Sequence, residues 1–283
     1  MNILSVQSSV AFGHVGNSAA VFPLQRLGFE VWPVNTVAFS NHPGYGSWRG
    51  RICPAELVAE LLAGIAERGV LGSCTAVLSG YLGTIEAGVA TLDAVRQIKE
   101  ANPDALYCCD PVIGDRAGGA YVRPGLAAFF RDQALVKADL TTPNHFELEQ
   151  LTGRSIASLA DAILAADILA SIGPRIVLVT SLERGDAPAE TSEMLVVEGD
   201  QAWLVATPLL PIEVNGAGDA VAALFLAHYL LTHSAERALA AAAAAIFSII
   251  EATRQAGSRE LLLVAAQDAF VAPRRRFSAR RVR

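Results

Sequence analysis

The residues Asn215-Gly216-Ala217-Gly218-Asp219 stand immediately before a long alanine-rich apolar stretch. A turn of small residues lets backbone N–H groups approach a ligand closely, and a following helix aims its positive end at the same point. The result is an anion hole suited to the charge that develops on a transferring phosphoryl group. Asp219 closes the turn, where a carboxylate can take the proton of an attacking hydroxyl. Turn plus acid therefore suggests phosphoryl transfer from a nucleotide to an alcohol. The same residues also suit an ordinary loop-to-helix junction with Asp219 as N-cap.

The elements that must position this turn are legible as an alternation. Strands are predicted at Ile3–Val6, Val31–Val37, Ala76–Leu78, Leu106–Cys109, Leu140–Thr142 and Ile176–Val179. Helical patterns lie between them, at Ser18–Leu27, Ala55–Arg68, Ile85–Lys99, His145–Leu151 and Leu159–Ser171. Met194–Val197 and Ala202–Val205 read as a hairpin, followed by helices over Ala217–Leu231, Ala235–Thr253 and Glu260–Phe270. This order predicts an α/β fold with a mostly parallel sheet covered by helices on both faces. No repeat or linker divides the chain, so residues 1–283 read as one domain, ending in a basic tail over 274–283.

In such sheets ligands bind beyond the C-terminal ends of the strands, and the residues there are rich in polar groups. Gln7-Ser8-Ser9 follows the first strand, and Ser8 could hydrogen-bond a substrate. The Phe39-to-Trp48 loop, with Pro43, Gly44, Tyr45 and Gly46, is constrained and aromatic. It suits a flat heteroaromatic ligand or, equally, a surface loop pinned by its own rings. Tyr81 follows the third strand and could face a ligand or the core. Asp110 and Asp115 follow the fourth. Carboxylates beside a triphosphate are useful through a divalent cation, so both are candidates for Mg²⁺ or its waters. After the fifth strand, Asn144 and Glu147 have capping-box spacing, and Glu147 could still reach metal-bound water. Thr180 and Ser181 offer hydroxyls to phosphates.

Composition excludes several classes. Formal net charge is −6, although six arginines lie in the last ten residues, which leaves the rest of the chain at −12. An acidic body argues against nucleic acid as a partner; the tail reads as a solvated or subunit-contacting terminus. No apolar run reaches the ~18 residues of a membrane span. The N-terminus lacks a basic region and cleavage site, and four cysteines show no CxxC pair. Reduced core thiols in a cytoplasmic protein are the expectation.

Taken in order, these segments resemble the ribokinase-like superfamily of small-molecule kinases and, within it, the pyridoxal kinases. The telling stretches are Val6-Gln7-Ser8, Gly13-His14-Val15-Gly16-Asn17, Phe39-Ser40-Asn41-His42, Cys109-Asp110-Pro111-Val112, Thr142-Pro143-Asn144 and Gly216-Ala217-Gly218-Asp219. The resemblance spans Leu4 to about Ala279 and implies a three-layer α/β/α sandwich. It implies that Ser8, Pro43, Gly44 and Tyr81 surround a pyridine ring, with Tyr121 on a flap above. Asp110, Thr142 and Glu147 would line the nucleotide and cation region, with Asp115 nearby. Thr180 and Ser181 would touch ATP phosphates, and Thr207, Pro208, Leu209 and Leu210 would lie along the adenosine. Gly216, Ala217 and Gly218 would form the anion hole and Asp219 would be the base. Mg-ATP, often with a monovalent cation such as K⁺, and a homodimer are likewise implied. The chain departs from the usual pattern at Ser9, where His is common, at Pro43, where Thr is common, and at Thr180, where many bacterial members carry Lys. Hydroxymethylpyrimidine kinase and a non-catalytic vitamer-binding protein are the competing expectations.

Overall fold

A computed structural model describes residues 1–283. Twelve strands form in chain order: β1 (Asn2–Val10), β2 (Glu30–Phe39), β3 (Gly50–Ile52), β4 (Cys74–Ser79), β5 (Leu106–Cys109), β6 (Gly114–Asp115), β7 (Gly119–Ala120), β8 (Leu140–Thr141), β9 (Ile176–Leu182), β10 (Thr191–Glu198), β11 (Gln201–Pro208) and β12 (Arg280–Arg281). The helices are α1 (Asn17–Arg26), α2 (Ala55–Glu67), α3 (Ile85–Ala101), α4 (Leu126–Phe129), α5 (His145–Thr152), α6 (Leu159–Ile172), α7 (Ala217–Thr232), α8 (Ala235–Gln255) and α9 (Gln267–Val271).

Ten strands make one sheet in the order β12-β11-β10-β9-β8-β5-β4-β1-β2-β3. The six from β9 to β2 run parallel, and antiparallel strands extend both sides. Alternation along the strands explains the layering. Ile3, Leu78, Leu178 and Val196 point into a core shared with α1, α7, α8 and α9. Leu4, Val77, Val179 and Leu195 point into a second core under α2 to α6. A strand with apolar residues on both faces must be covered twice, as these are. The fold is thus an α/β/α sandwich of the ribokinase-like kind.

The structure departs from the sequence reading at the short elements. The expected helix from Glu260 to Phe270 survives only as α9. Leu261 and Leu263 are buried in the core, and the Leu262 N–H donates to the Thr253 side chain at 3.0 Å rather than to a helical carbonyl. The strand ending at Val179 continues to Leu182, through a bulge against β10. The basic tail keeps Arg274, Arg275 and Arg276 exposed, but its last residues join the sheet edge. Arg280 and Arg281 pair with β11, and Arg283 makes a two-pronged ion pair with Asp167 at 2.6 and 2.9 Å. A two-residue strand leaves almost no periodic signal for sequence reasoning to find.

Candidate active site

All six parallel strands end on one side of the molecule, and the register of β10 and β11 brings Thr191 and Pro208 to the same side as Leu182. The sheet edge there is bordered by the β1–α1 loop, the Pro43–Tyr45 turn, the β6–β7 hairpin and the start of α7.

Gly216 is the cap residue of α7 and has φ +81°. A Cβ built there would stand 1.8 Å from the His14 carbonyl oxygen. The glycine is therefore required twice, by its left-handed backbone and by close packing on the β1–α1 loop. Gly218, by contrast, faces open space. Asp219 is the third helical residue, so the capped-junction alternative fails: the cap is a glycine without a side chain. Asp219 is partly buried. Burial pushes its carboxyl up to about 6, partly opposed by the N–H groups of Gly16 and of Asp219 itself. Gly16 also abuts Ser8, whose side-chain oxygen would stand 2.3 Å from a Cβ at that position. Ser8, Gly16, Gly216 and Asp219 thus form one continuous patch, although they lie some two hundred residues apart in sequence.

A second group of acids stands behind β5 and β8. Asp110 is buried and accepts from the Thr142 hydroxyl at 2.9 Å. Glu147 is buried as well. One of its oxygens accepts the Ile113 N–H at 2.8 Å; the other accepts the Asn144 N–H at 2.9 Å, completing the capping box of α5. Burial raises the Glu147 carboxyl to about 7. Burial, followed by the charges of Glu147 and Asp219, raises Asp110 well above the usual carboxylate range. The capping box expected of Glu147 is present, and the same carboxylate stands near Asp110.

The structure does not bring Asp115 into that pair. It lies on the exposed β6–β7 hairpin, where its carboxylate accepts the Gly118 N–H at 2.6 Å and holds the turn. Nor do three His, Cys, Asp or Glu side chains converge as a complete metal-binding set. Tyr121 follows the hairpin, its N–H donating to the Ile113 carbonyl at 3.1 Å. Its side chain is 52% exposed. Burial and then the charges of Glu147, Asp219, Asp115 and Asp110 raise its phenol.

The Pro43–Tyr45 segment is a single turn capped by His42, whose Nδ1 accepts the Gly44 N–H at 3.2 Å. The aromatics of the loop pack on neighbouring rings, while Trp48 stays 45% exposed. Trp48 packs on Phe39 with ring centres 4.1 Å apart, and Tyr45 meets Phe12 edge to face. Gly44 faces Asn215 across the cleft. Tyr81 is partly buried, and its carbonyl accepts the Thr36 hydroxyl at 2.5 Å. Thr36 is the residue skipped where the β1–β2 register shifts.

At the other end of the sheet, Thr180 is buried while Ser181 is exposed with φ +48°. The bulge turns their side chains to different surroundings. Thr207 is buried, and Leu209 is 57% exposed on the rim beside Pro208 and Leu210. Sequence reasoning missed two residues here. Gly16 appeared only within a motif, yet its N–H faces Asp219. Glu260 was assigned to a helix, yet its carboxylate reaches the β1–α1 loop. Neither residue type carries a local signal for such a long-range contact.

A doubly covered parallel sheet, a glycine turn at a helix start and an acid in the first helical turn define a ribokinase-like small-molecule kinase. A family model described as phosphomethylpyrimidine kinase matches residues 55–263. Pyridoxal kinase PdxY of Rubrobacter xylanophilus is 58% identical over 283 residues, covering 100% of this chain and 98% of that protein. Pyridoxal kinase PdxY of Granulibacter bethesdensis is 55% identical, covering 96% and 97%. The structure of pyridoxal kinase from Leishmania donovani in complex with ADP and pyridoxine superposes with a TM-score of 0.93 at 30% identity, covering 100% and 99%. The chain belongs to the pyridoxal kinase family.

Proposed function

We propose that this chain transfers the γ-phosphoryl group of ATP to the 5′-hydroxymethyl group of pyridoxal, yielding pyridoxal 5′-phosphate. The observation that carries the mechanism is the contact of Gly16 with both Ser8 and Asp219, which joins the ring-binding residue to the acid at the anion hole. Ser8, Pro43, Gly44 and Tyr81 hold the pyridine ring, and Tyr121 closes over it. A primary alcohol is a poor nucleophile at neutral pH, so Asp219 takes its proton as the new bond to phosphorus forms. The N–H groups of the Gly216–Gly218 turn, aided by the α7 N-terminus, stabilise the charge on the transferring group. Thr180 and Ser181 bind phosphates, and Thr207 to Leu210 flank the adenosine. Positioning and electrostatics supply most of the acceleration.

Asp110 and Glu147 fit a divalent cation: two buried carboxylates whose proximity raises the Asp110 carboxyl invite a positive charge between them. Mg²⁺ keeps several waters and needs only one or two carboxylates plus substrate phosphates. When bound it would neutralise charge on the phosphates of ATP. Asp110 with its Thr142 partner and Glu147 would hold it; Asp115 would steady the flap instead. A monovalent cation, a homodimer, a single-domain organisation and a cytoplasmic location accompany this reading. No helix is long and apolar enough to cross a membrane.

The family model's description, phosphomethylpyrimidine kinase, keeps a substituted pyrimidine as the rival acceptor, and hydroxymethylpyrimidine stands for that class. Phosphate-transfer kinetics with pyridoxal, pyridoxamine, pyridoxine and hydroxymethylpyrimidine, each with and without K⁺, test the assignment. The highest kcat/KM should fall on a B6 vitamer. A preference for hydroxymethylpyrimidine would overturn the substrate, and vitamer binding without ATP consumption would overturn the reaction.

A further inference from the structure

Glu260 lies outside every motif that carries the proposed chemistry, yet it joins two of the loops around it. One carboxylate oxygen accepts the His14 N–H at 3.1 Å. The other accepts the Tyr45 hydroxyl in a short hydrogen bond. The Arg259 guanidinium stands over the Tyr45 ring, 5.1 Å from its centre. Gly13 makes room for the contact. It has φ +92°, and a Cβ there would stand 2.2 Å from the Glu260 carboxylate.

The base from which Glu260 reaches out is fixed. The Ser258 hydroxyl accepts the Glu260 N–H at 3.1 Å and donates to its carbonyl at 2.8 Å. Leu261 is fully buried, and the next N–H is tied to Thr253. A side chain anchored in this way holds its partners in place rather than following them.

Those partners bear directly on the reacting centre. The His14 N–H that Glu260 accepts belongs to the same residue whose carbonyl packs against Gly216, and the Tyr45 turn carries Gly44, which faces Asn215. We infer that Glu260 is a positioning residue that latches the ring-binding turn at Pro43–Tyr45 to the backbone behind the anion hole, and so sets pyridoxal affinity. The inference rests on the function proposed above. The latch lies on the vitamer side of the cleft, at the ends of β1 and β2, whereas the nucleotide-binding residues lie at β9 and β11. Its loss should therefore fall on one substrate only.

The test is steady-state kinetics on the full chain with each substrate varied in turn, together with thermal melts. Glu260→Ala should raise KM for pyridoxal about tenfold, the scale of one charge-assisted hydrogen bond. KM for ATP should stay within about twofold. Glu260→Gln should recover most of the loss, because an amide can accept from the His14 N–H and donate to the Tyr45 oxygen. Tyr45→Phe keeps the ring and should raise KM for pyridoxal in the wild-type background but not on top of Glu260→Ala. Unchanged KM in both single variants would overturn the inference. So would parallel rises in both KM values with a lowered melting temperature, or full additivity of the two changes. A wild-type chain that does not phosphorylate pyridoxal would overturn the functional reading first, and the inference with it.

Discussion

Acidification should switch the chemistry off at a pH set by one residue. Asp219 must be a carboxylate to accept the proton of the alcohol, and burial lifts it from 3.8 to about 6. The sign follows directly. A base is active above its pKa, so kcat/KM falls as pH drops through that value. At pH 5 a group titrating near 6 is only about one tenth ionised, a roughly tenfold loss; at its ordinary value it would still be more than about nine tenths ionised and nothing would be lost. Because kcat/KM reports the free enzyme, the ligand-free structure is the relevant one. The assay is kcat/KM for pyridoxal from pH 4.5 to 8 in wild type and Asp219→Asn. The variant should lose at least ~100-fold in kcat, keep its pyridoxal affinity, and lose the limb near 6 from the residual rate. ATP and Glu147 also ionise in this range; the variant keeps both groups, and loss of the Asp219 charge, one of the causes that raise Glu147, moves that carboxyl down. A limb that persists unchanged in Asp219→Asn, or a wild-type profile flat to pH 5, would refute the assignment of Asp219 as base.

Two further outcomes concern the turn and the acids. Gly216→Ala should abolish most activity and lower the melting temperature, since a left-handed backbone and a 1.8 Å clash with His14 must both be accommodated. Gly218→Ala meets neither obstacle and should melt like wild type, so equal losses in the two would contradict the packing argument. Asp110 is held protonation-prone by burial and by Glu147. A carboxyl raised in the folded state contributes stability below that raised value and loses it as pH rises. Asp110→Asn should therefore melt a few degrees higher than wild type at pH 8 without ligands, while weakening Mg-ATP binding. Calorimetry checks the first and titration with Mg-ATP the second; a lower melting temperature at pH 8 would contradict the electrostatic reading.

The sheet and its long helices were legible because each carries many residues of one periodicity. Ile3 beside Leu4 and Leu178 beside Val179 signal strands covered on both faces, and the structure shows which layer each meets. The glycine turn was legible as well, because Gly216 and Asp219 are adjacent and local. What sequence reasoning could not supply was distance. Asp110 and Asp115 stand five residues apart after the same strand, and nothing local reveals that one is buried beside Glu147 while the other holds an exposed turn. Tyr45 and Trp48 suited either a stacked ligand or a pinned loop, and only the fold places Phe12, Phe39 and Glu260 beside them. Glu260 itself was hidden because its role depends on partners 246 and 215 residues earlier.

That separation governs how the protein comes to be active. The Gly16–Asp219 and Gly216–His14 contacts join the first tenth of the chain to its last quarter, so the loop-closure cost of the site is met only when almost everything between them is in place. Helix content can recover early in refolding through local contacts alone. Catalytic competence is then the last property regained, and a fragment from either half carries no partial activity.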